Sequence, residues 1–240
     1  MARRPRRPAR AARRSAPSAS APAGAPSGER DKIVAALLAL LAEKSIEQIG
    51  MAEIAKEAGV SLADLRGAFP SPLAIVAAYL KDVDRAVLAE DFSDMVEEPA
   101  RERLFDVLMR RLEKLAPHRE AVRSLIRSAR RNAPLAFALN GLAVRSQKWM
   151  LTAAGINASG PRGALHAQGL AMLYSSVLRT WIRDDDPGLA RTMAALDRAL
   201  ARGQRFAGFL DDLCFIPSRL CRLRSRRRRR SDESEESAAA

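Results

Sequence analysis

The sequence predicts an all-α protein, and three observations carry that expectation. Of its 240 residues 48% are hydrophobic but only 5% aromatic, with Ala, Leu and Arg dominant; these are helix formers, and the β-branched and aromatic residues that strands prefer are scarce. Apolar residues recur at spacings of three and four in several long segments, the period of one helix face. Prolines stand at Pro99, Pro117, Pro134, Pro161 and Pro187, each where a helix could begin without losing a needed N–H. The expected architecture is an N-terminal module of three to four short helices over 29–80, packed on a larger helical bundle over 81–214. Segments 1–28 and 215–240 flank them.

Residues 1–28 contain only Arg, Ala, Pro, Ser and Gly besides Met1. Such a mix buries too little apolar surface to offset ordering entropy, so a disordered basic arm is expected. The first helix is expected over 31–44, because Ile33, Ala36, Leu37, Leu40 and Leu41 fall on one face. Met51 to Ala58 fits a second helix, with Gly59 as its left-handed terminator. Ser61 then caps a third helix over Leu62 to Phe69, with Asp64 returning a hydrogen bond as in a capping box. Ser71 caps a fourth, with Pro72 at its first position. Two helices joined by a tight Gly-containing turn have the spacing of a helix-turn-helix.

Five more helices are expected beyond residue 80. Leu104, Leu108, Leu112 and Leu115 stripe the first of them; Leu170, Leu173, Tyr174, Val177, Leu178 and Trp181 the fourth; Leu189, Met193, Leu196 and Leu200 the last. Asp186 is expected to cap that last helix and Pro187 to start it. Phe206 to Leu213 finish it against the body.

The formal charge of +13 is concentrated in the flanks. Residues 1–28 hold seven Arg and no acid, and 219–240 hold eight Arg against four acids, so 29–218 carry 26 basic and 24 acidic groups. Attraction to phosphate or anionic lipid therefore resides mainly in the two tails. The longest uncharged apolar run, Ile33 to Ala42, spans ten residues, about half of the ~20 needed to cross a bilayer. The N-terminus lacks the apolar core of a secretory signal, and a cytoplasmic protein is expected. Cys214 and Cys221 have neither zinc-site nor redox-motif spacing and read as reduced thiols.

No nucleophile–base string and no Gly-rich phosphate loop is present, so neither catalysis nor a cofactor is expected. His118 and His166 lack ligating neighbours at metal spacing and read as surface residues. Asp184, Asp185 and Asp186 read as carboxylates attracted to a helix N-terminus, with no metal expected.

The stretch Ile33 to Lys44, then Met51-Ala52-Glu53-Ile54-Ala55-Lys56-Glu57-Ala58-Gly59-Val60-Ser61, then Phe69-Pro70-Ser71 resembles the first four helices of TetR-type transcription regulators. That resemblance covers about fifty residues. It implies a DNA-reading module, a larger helical domain for a small effector, and a homodimer built on the last two helices. Lys56, Ser61, Leu62, Ala63, Asp64, Arg66, Gly67 and Ala68 are then the residues expected to face double-stranded DNA, with the third helix in the major groove. Met109, Leu112, Trp149, Met150, Tyr174, Leu178 and Trp181 are the expected lining of a pocket for a small apolar effector or lipid.

The reading helix departs from the family pattern. Where the family has Ser-Lys-Gly-Thr-Leu-Tyr-x-Tyr-Phe, this chain has Ser61-Leu62-Ala63-Asp64-Leu65-Arg66-Gly67-Ala68-Phe69, and Pro72 replaces the usual Lys after the Pro-Ser pair. Residues 29–79 carry five basic and seven acidic side chains, leaving Arg66 as the obvious base-reading donor. The C-terminal half, through Leu104 to His118, Trp149-Met150 and Leu178 to Pro187, loosely resembles the lipid-binding accessory proteins of ubiquinone biosynthesis. That resemblance implies the same architecture without DNA binding and a C-terminal domain enclosing an isoprenoid or acyl chain; separately, the apolar, Arg-rich stretch from Arg205 to Arg230 could lie on an anionic membrane surface.

Overall fold

The computed structural model describes residues 27–95 and 97–204. Helix α1 (Ser27–Glu43) starts inside the segment expected to be disordered, with Glu29 in its first turn, where a carboxylate complements the helix dipole. Its Ile33, Leu37 and Leu41 are fully buried. After a 3-10 turn at Ile46–Gln48 comes α2 (Met51–Ala58), which ends where Gly59 takes φ 66° and ψ 33°; that left-handed conformation suits glycine and closes the turn.

The short α3 (Leu62–Ala68) is capped by Ser61, whose Oγ accepts from the Asp64 N–H at 3.1 Å. Asp64 returns no bond to the Ser61 backbone; its carboxylate accepts from the Ser61 hydroxyl. Phe69, expected as the last helical residue, is extended and buried. Helix α4 (Pro72–Leu88) begins with the Ser71 cap and Pro72 and runs unbroken across the boundary expected near residue 80.

Helix α5 (Ala100–Leu115) follows Pro99. Pro117 lies in a 3-10 turn at Ala116–His118, and α6 (Arg119–Ala129) begins just after it. Asn132 caps α7 (Ala133–Ala153), its Oδ1 accepting from the Leu135 N–H at 3.0 Å. Helix α8 (Gly160–Trp181) starts with Pro161 in its first turn. Early in α8, a Cβ at Gly163 would lie 2.1 Å from the Ala158 carbonyl carbon, so only glycine lets the two backbones approach this closely.

The last helix of the described residues, α9, covers 190–204 and corrects the expected start. Pro187 and Gly188 form a turn, and Leu189 takes φ 51°, an uncommon left-handed conformation for a branched residue. Asp186 directs this: one carboxylate oxygen accepts from Gly188 N–H and the other from Ala190 N–H, both at 3.1 Å. It therefore caps the helix across the turn. Asp184 anchors the same corner, its Oδ2 accepting from the Thr192 N–H at 2.8 Å and the Thr192 hydroxyl at 2.7 Å. That hydroxyl donation holds the Asp184 carboxyl below the usual range. Phe206 to Leu213, Cys214, Cys221 and the tail 215–240 lie outside the described residues.

Helices α1–α4 form a small N-terminal unit, and α1 also packs along α6; α4 packs on α5 and α7, and α7 on α8. One hydrophobic core runs through both parts, from Ile33 and Leu65 to Trp181 and Leu196. Among the described residues there is no strand, and no helix is long and apolar enough to cross a membrane.

Candidate nucleic-acid interface

The site is built by the angle that Gly59 sets between α2 and α3. Helix α3 is pinned by a single fully buried side chain, Leu65, with Phe69 closing its C-terminal end. Its other positions point away from the core: Ser61, Leu62, Ala63, Asp64, Arg66 and Gly67 are exposed, as is Lys56 on α2, while Ala68 is half-buried. Leu62 is 57% exposed, a large apolar side chain at the first position of α3. Arg66 has no ion-pair partner among the described residues. Such a face can offer a guanidinium to guanine and an apolar group to a thymine methyl.

Two of the five cations between residues 29 and 79 are held by carboxylates, which leaves Lys32, Lys56 and Arg66 without one among the described residues. Lys44 pairs with Glu53, which raises its pKa mainly through that hydrogen bond, and Arg30 pairs with Asp82 on α4 at 2.8 Å.

The residues expected to line a ligand pocket lie mostly in the core in this structure. Leu112, Met150, Tyr174 and Trp181 are closed into the core, Met109 and Leu178 pack partly buried against it, and Trp149 is 55% exposed. Apart from exposed Trp149 they lie on the apolar faces that periodicity marked, and pocket linings and cores share that signature. At the centre of these residues lies a buried ion pair. Arg111 on α5 donates from Nε to Asp84 Oδ1 on α4 at 3.0 Å. The Ser146 hydroxyl on α7 donates to the same oxygen at 2.7 Å, and the Arg111 guanidinium lies 5.3 Å from the Tyr174 ring centre on α8. Burial raises the Tyr174 phenol pKa and pushes that of Tyr79 up to about 12.

A cavity of about 390 Å³ opens elsewhere, lined by Phe92, Ser93, Met95, Arg103, Val107, Ala153 and Gly155. It lies between the segment after α4, the start of α5 and the end of α7. Two α5 arginines strap that segment down: Arg103 binds the Glu98 and Ala154 carbonyls, and Arg110 binds Glu90 and lies over the Phe92 ring at 4.7 Å. Its lining comes from three separate stretches with no common period, so nothing in the sequence pattern drew them together. His118 also corrects an expectation, being half-buried with its ring edge-on to Tyr79 at 5.4 Å.

No protein-family model matches the sequence. No curated protein matches it either. Solved structures do. A TetR transcriptional regulator from Rhodococcus sp. RHA1 is 22% identical, covering 73% of this chain and 95% of that one with a TM-score of 0.54. A TetR transcriptional regulator from Nitrosomonas europaea ATCC 19718 is 24% identical over 73% of this chain and 97% of its own, with a TM-score of 0.57.

The chain has the TetR fold. In this chain α2 and α3 form the helix-turn-helix, and α4 packs on α1 as well as on α5 and α7.

Proposed function

We propose that this chain is a homodimeric DNA-binding transcription regulator that reads a palindromic operator with α3 and responds to a small apolar ligand. The observation that carries this reading is the outward face of α3, where Leu62 and Arg66 stand exposed on a helix held by one buried residue. A side chain as apolar as Leu62 left in water at a reading position is accounted for by a base-edge contact. Lys56 and Ser61 flank the helix toward the phosphates, and Ala63, Asp64, Gly67 and Ala68 complete the surface that enters the groove. The Arg-rich arm preceding α1 supplies the phosphate attraction that the acidic module lacks.

Dimerisation is supported by exposed Leu165 and Met172 on α8 and Met193 on α9. The ligand is assigned to the cavity beside Phe92, Met95, Val107 and Ala153, whose lining suits a small apolar molecule. Asp84 supports coupling, because it fixes the bridging helix α4 to both α5 and α7. A ligand that selects another packing of α5 and α7 would turn α4 and the reading head with it.

The test is selection from a random duplex pool with the full chain at ~150 mM salt, where non-specific phosphate attraction is screened. Enrichment of a two-fold-symmetric sequence is expected, and a folded dimer that enriches none would overturn the reading.

A further inference from the structure

Between Glu120 and Asp184 lie 63 residues without one Asp or Glu, yet with nine Arg and Lys. In the fold this stretch is α6 from its first turn, all of α7 and all of α8. A surface free of carboxylates over three helices contrasts with the preceding part, where residues 29–118 hold 12 basic and 17 acidic side chains. Charge is therefore unevenly divided between the two parts of the chain, with the carboxylate-free stretch carried by α6, α7 and α8.

The outward stripe of α7 concentrates this character. Phe137, Gly141, Arg145, Lys148, Trp149 and Thr152 recur at three- and four-residue spacing and are all exposed. Phe137 is 83% exposed and Trp149 55%. Twelve residues of helix separate these aromatics by roughly 18 Å along the axis, with Arg145 and Lys148 between them. At the α6–α7 corner, Arg127, Arg130 and Arg131 are also exposed. None of these five cations has a carboxylate partner among the described residues. The neighbouring 3-10 turn contributes one carboxylate to the corner, Glu47, which accepts from Asn132 at 3.2 Å.

From this arrangement we infer that the α7 face is a docking surface for an anionic phospholipid bilayer. Aromatic rings that sit at a headgroup boundary, alternating with cations that meet lipid phosphates, are the chemistry of interfacial binding. A helix face with rings near both ends suits a flat partner, and neither the cavity beside Phe92 nor the one beside Arg30 includes Phe137, Arg145, Lys148 or Trp149. The inference is independent of what α3 does, because it uses a different face and different residues.

The two Arg-rich tails would bind anionic vesicles by themselves, so sedimentation cannot decide the question. Fluorescence can, because the chain has two tryptophans, and Trp181 is 1% exposed whereas Trp149 is 55% exposed. The full chain is titrated with vesicles of equal parts phosphatidylglycerol and phosphatidylcholine, and with phosphatidylcholine alone. A blue shift of Trp149 emission and protection from acrylamide are expected with the anionic vesicles only, and absent in Trp149→Phe. Arg145→Ala with Lys148→Ala should weaken the response by roughly fivefold per cation removed. Three outcomes would overturn the inference: sedimentation with vesicles without a Trp149 response, a Trp149 shift that follows protein concentration in the absence of lipid, or a response to oligonucleotides but not to vesicles. The second would mark the face as a subunit interface, the third as a nucleic-acid surface.

Discussion

Arg111 Nε lies 3.0 Å from Asp84 Oδ1, and both side chains are nearly sealed from solvent where four helices meet. The carboxylate also takes the Ser146 hydroxyl, and the guanidinium lies over Tyr174. A buried pair of this kind is weak evidence for net stability, because desolvating both ions offsets most of their attraction. Removing one partner is different, since the other charge stays buried. Asp84→Ala should lower unfolding free energy by about 3–5 kcal/mol, whereas Asp84→Leu combined with Arg111→Met should recover most of that loss. Urea denaturation of the three proteins checks this; a single variant as stable as the double would refute the account.

Arg66→Ala tests the reading helix. The side chain is exposed and holds no contact that the fold needs, so thermal unfolding should be unchanged. Affinity for a selected operator should fall by ~1–3 kcal/mol, with specificity relaxed at one base pair of each half-site. Loss of affinity equal for all sequences would reassign Arg66 to a phosphate contact.

His118 gives the protein a pH-dependent component. Burial against Tyr79 depresses its pKa below 6.5, so the folded state favours the neutral ring while the unfolded chain takes up a proton more readily. The stability contributed is fully present above pH 6.5 and is lost as pH falls through the lower folded value. Glu47 and Glu90, whose pKa values are lowered from 4.5, lose their contribution only in a more acidic range. The urea midpoint should therefore drop between pH 7 and pH 5.5 in the wild type, and less in His118→Phe, which keeps the edge-on ring contact.

Two glycines inside helices should respond oppositely to the same change. A Cβ at Gly67 meets nothing within 4 Å, so Gly67→Ala should stabilise by about 0.5–1 kcal/mol by restricting the unfolded chain. A Cβ at Gly163 would meet the Ala158 backbone at 2.1 Å, so Gly163→Ala should destabilise by ~1–3 kcal/mol through forced backbone movement. Melting temperatures moving in the same direction would show that the α8 approach is not as close as described.

Local signals in the sequence located most helices because they act within a few residues. Gly59 terminates α2, and Ser61 and Ser71 cap α3 and α4. Pro187 was the exception: it is permitted at a helix start, but Asp186 bonds the Gly188 and Ala190 amides and carries the start of α9 beyond it. The residues that the resemblance assigned to the DNA-facing surface of α3 are exposed apart from half-buried Ala68, with Leu65 as the buried one.

By itself, then, the sequence determined the all-α class and the helix-turn-helix with its short α2 and α3, because capping, turn chemistry and helical period are short-range. Only the tertiary structure decided which apolar stripes became sealed core and which a cavity. It decided that Asp84 and Arg111, 27 residues apart, share one buried bond, and that His118 lies against Tyr79 rather than in water. These are pairings between elements, and a period of three or four residues fixes which face is apolar without fixing what that face meets.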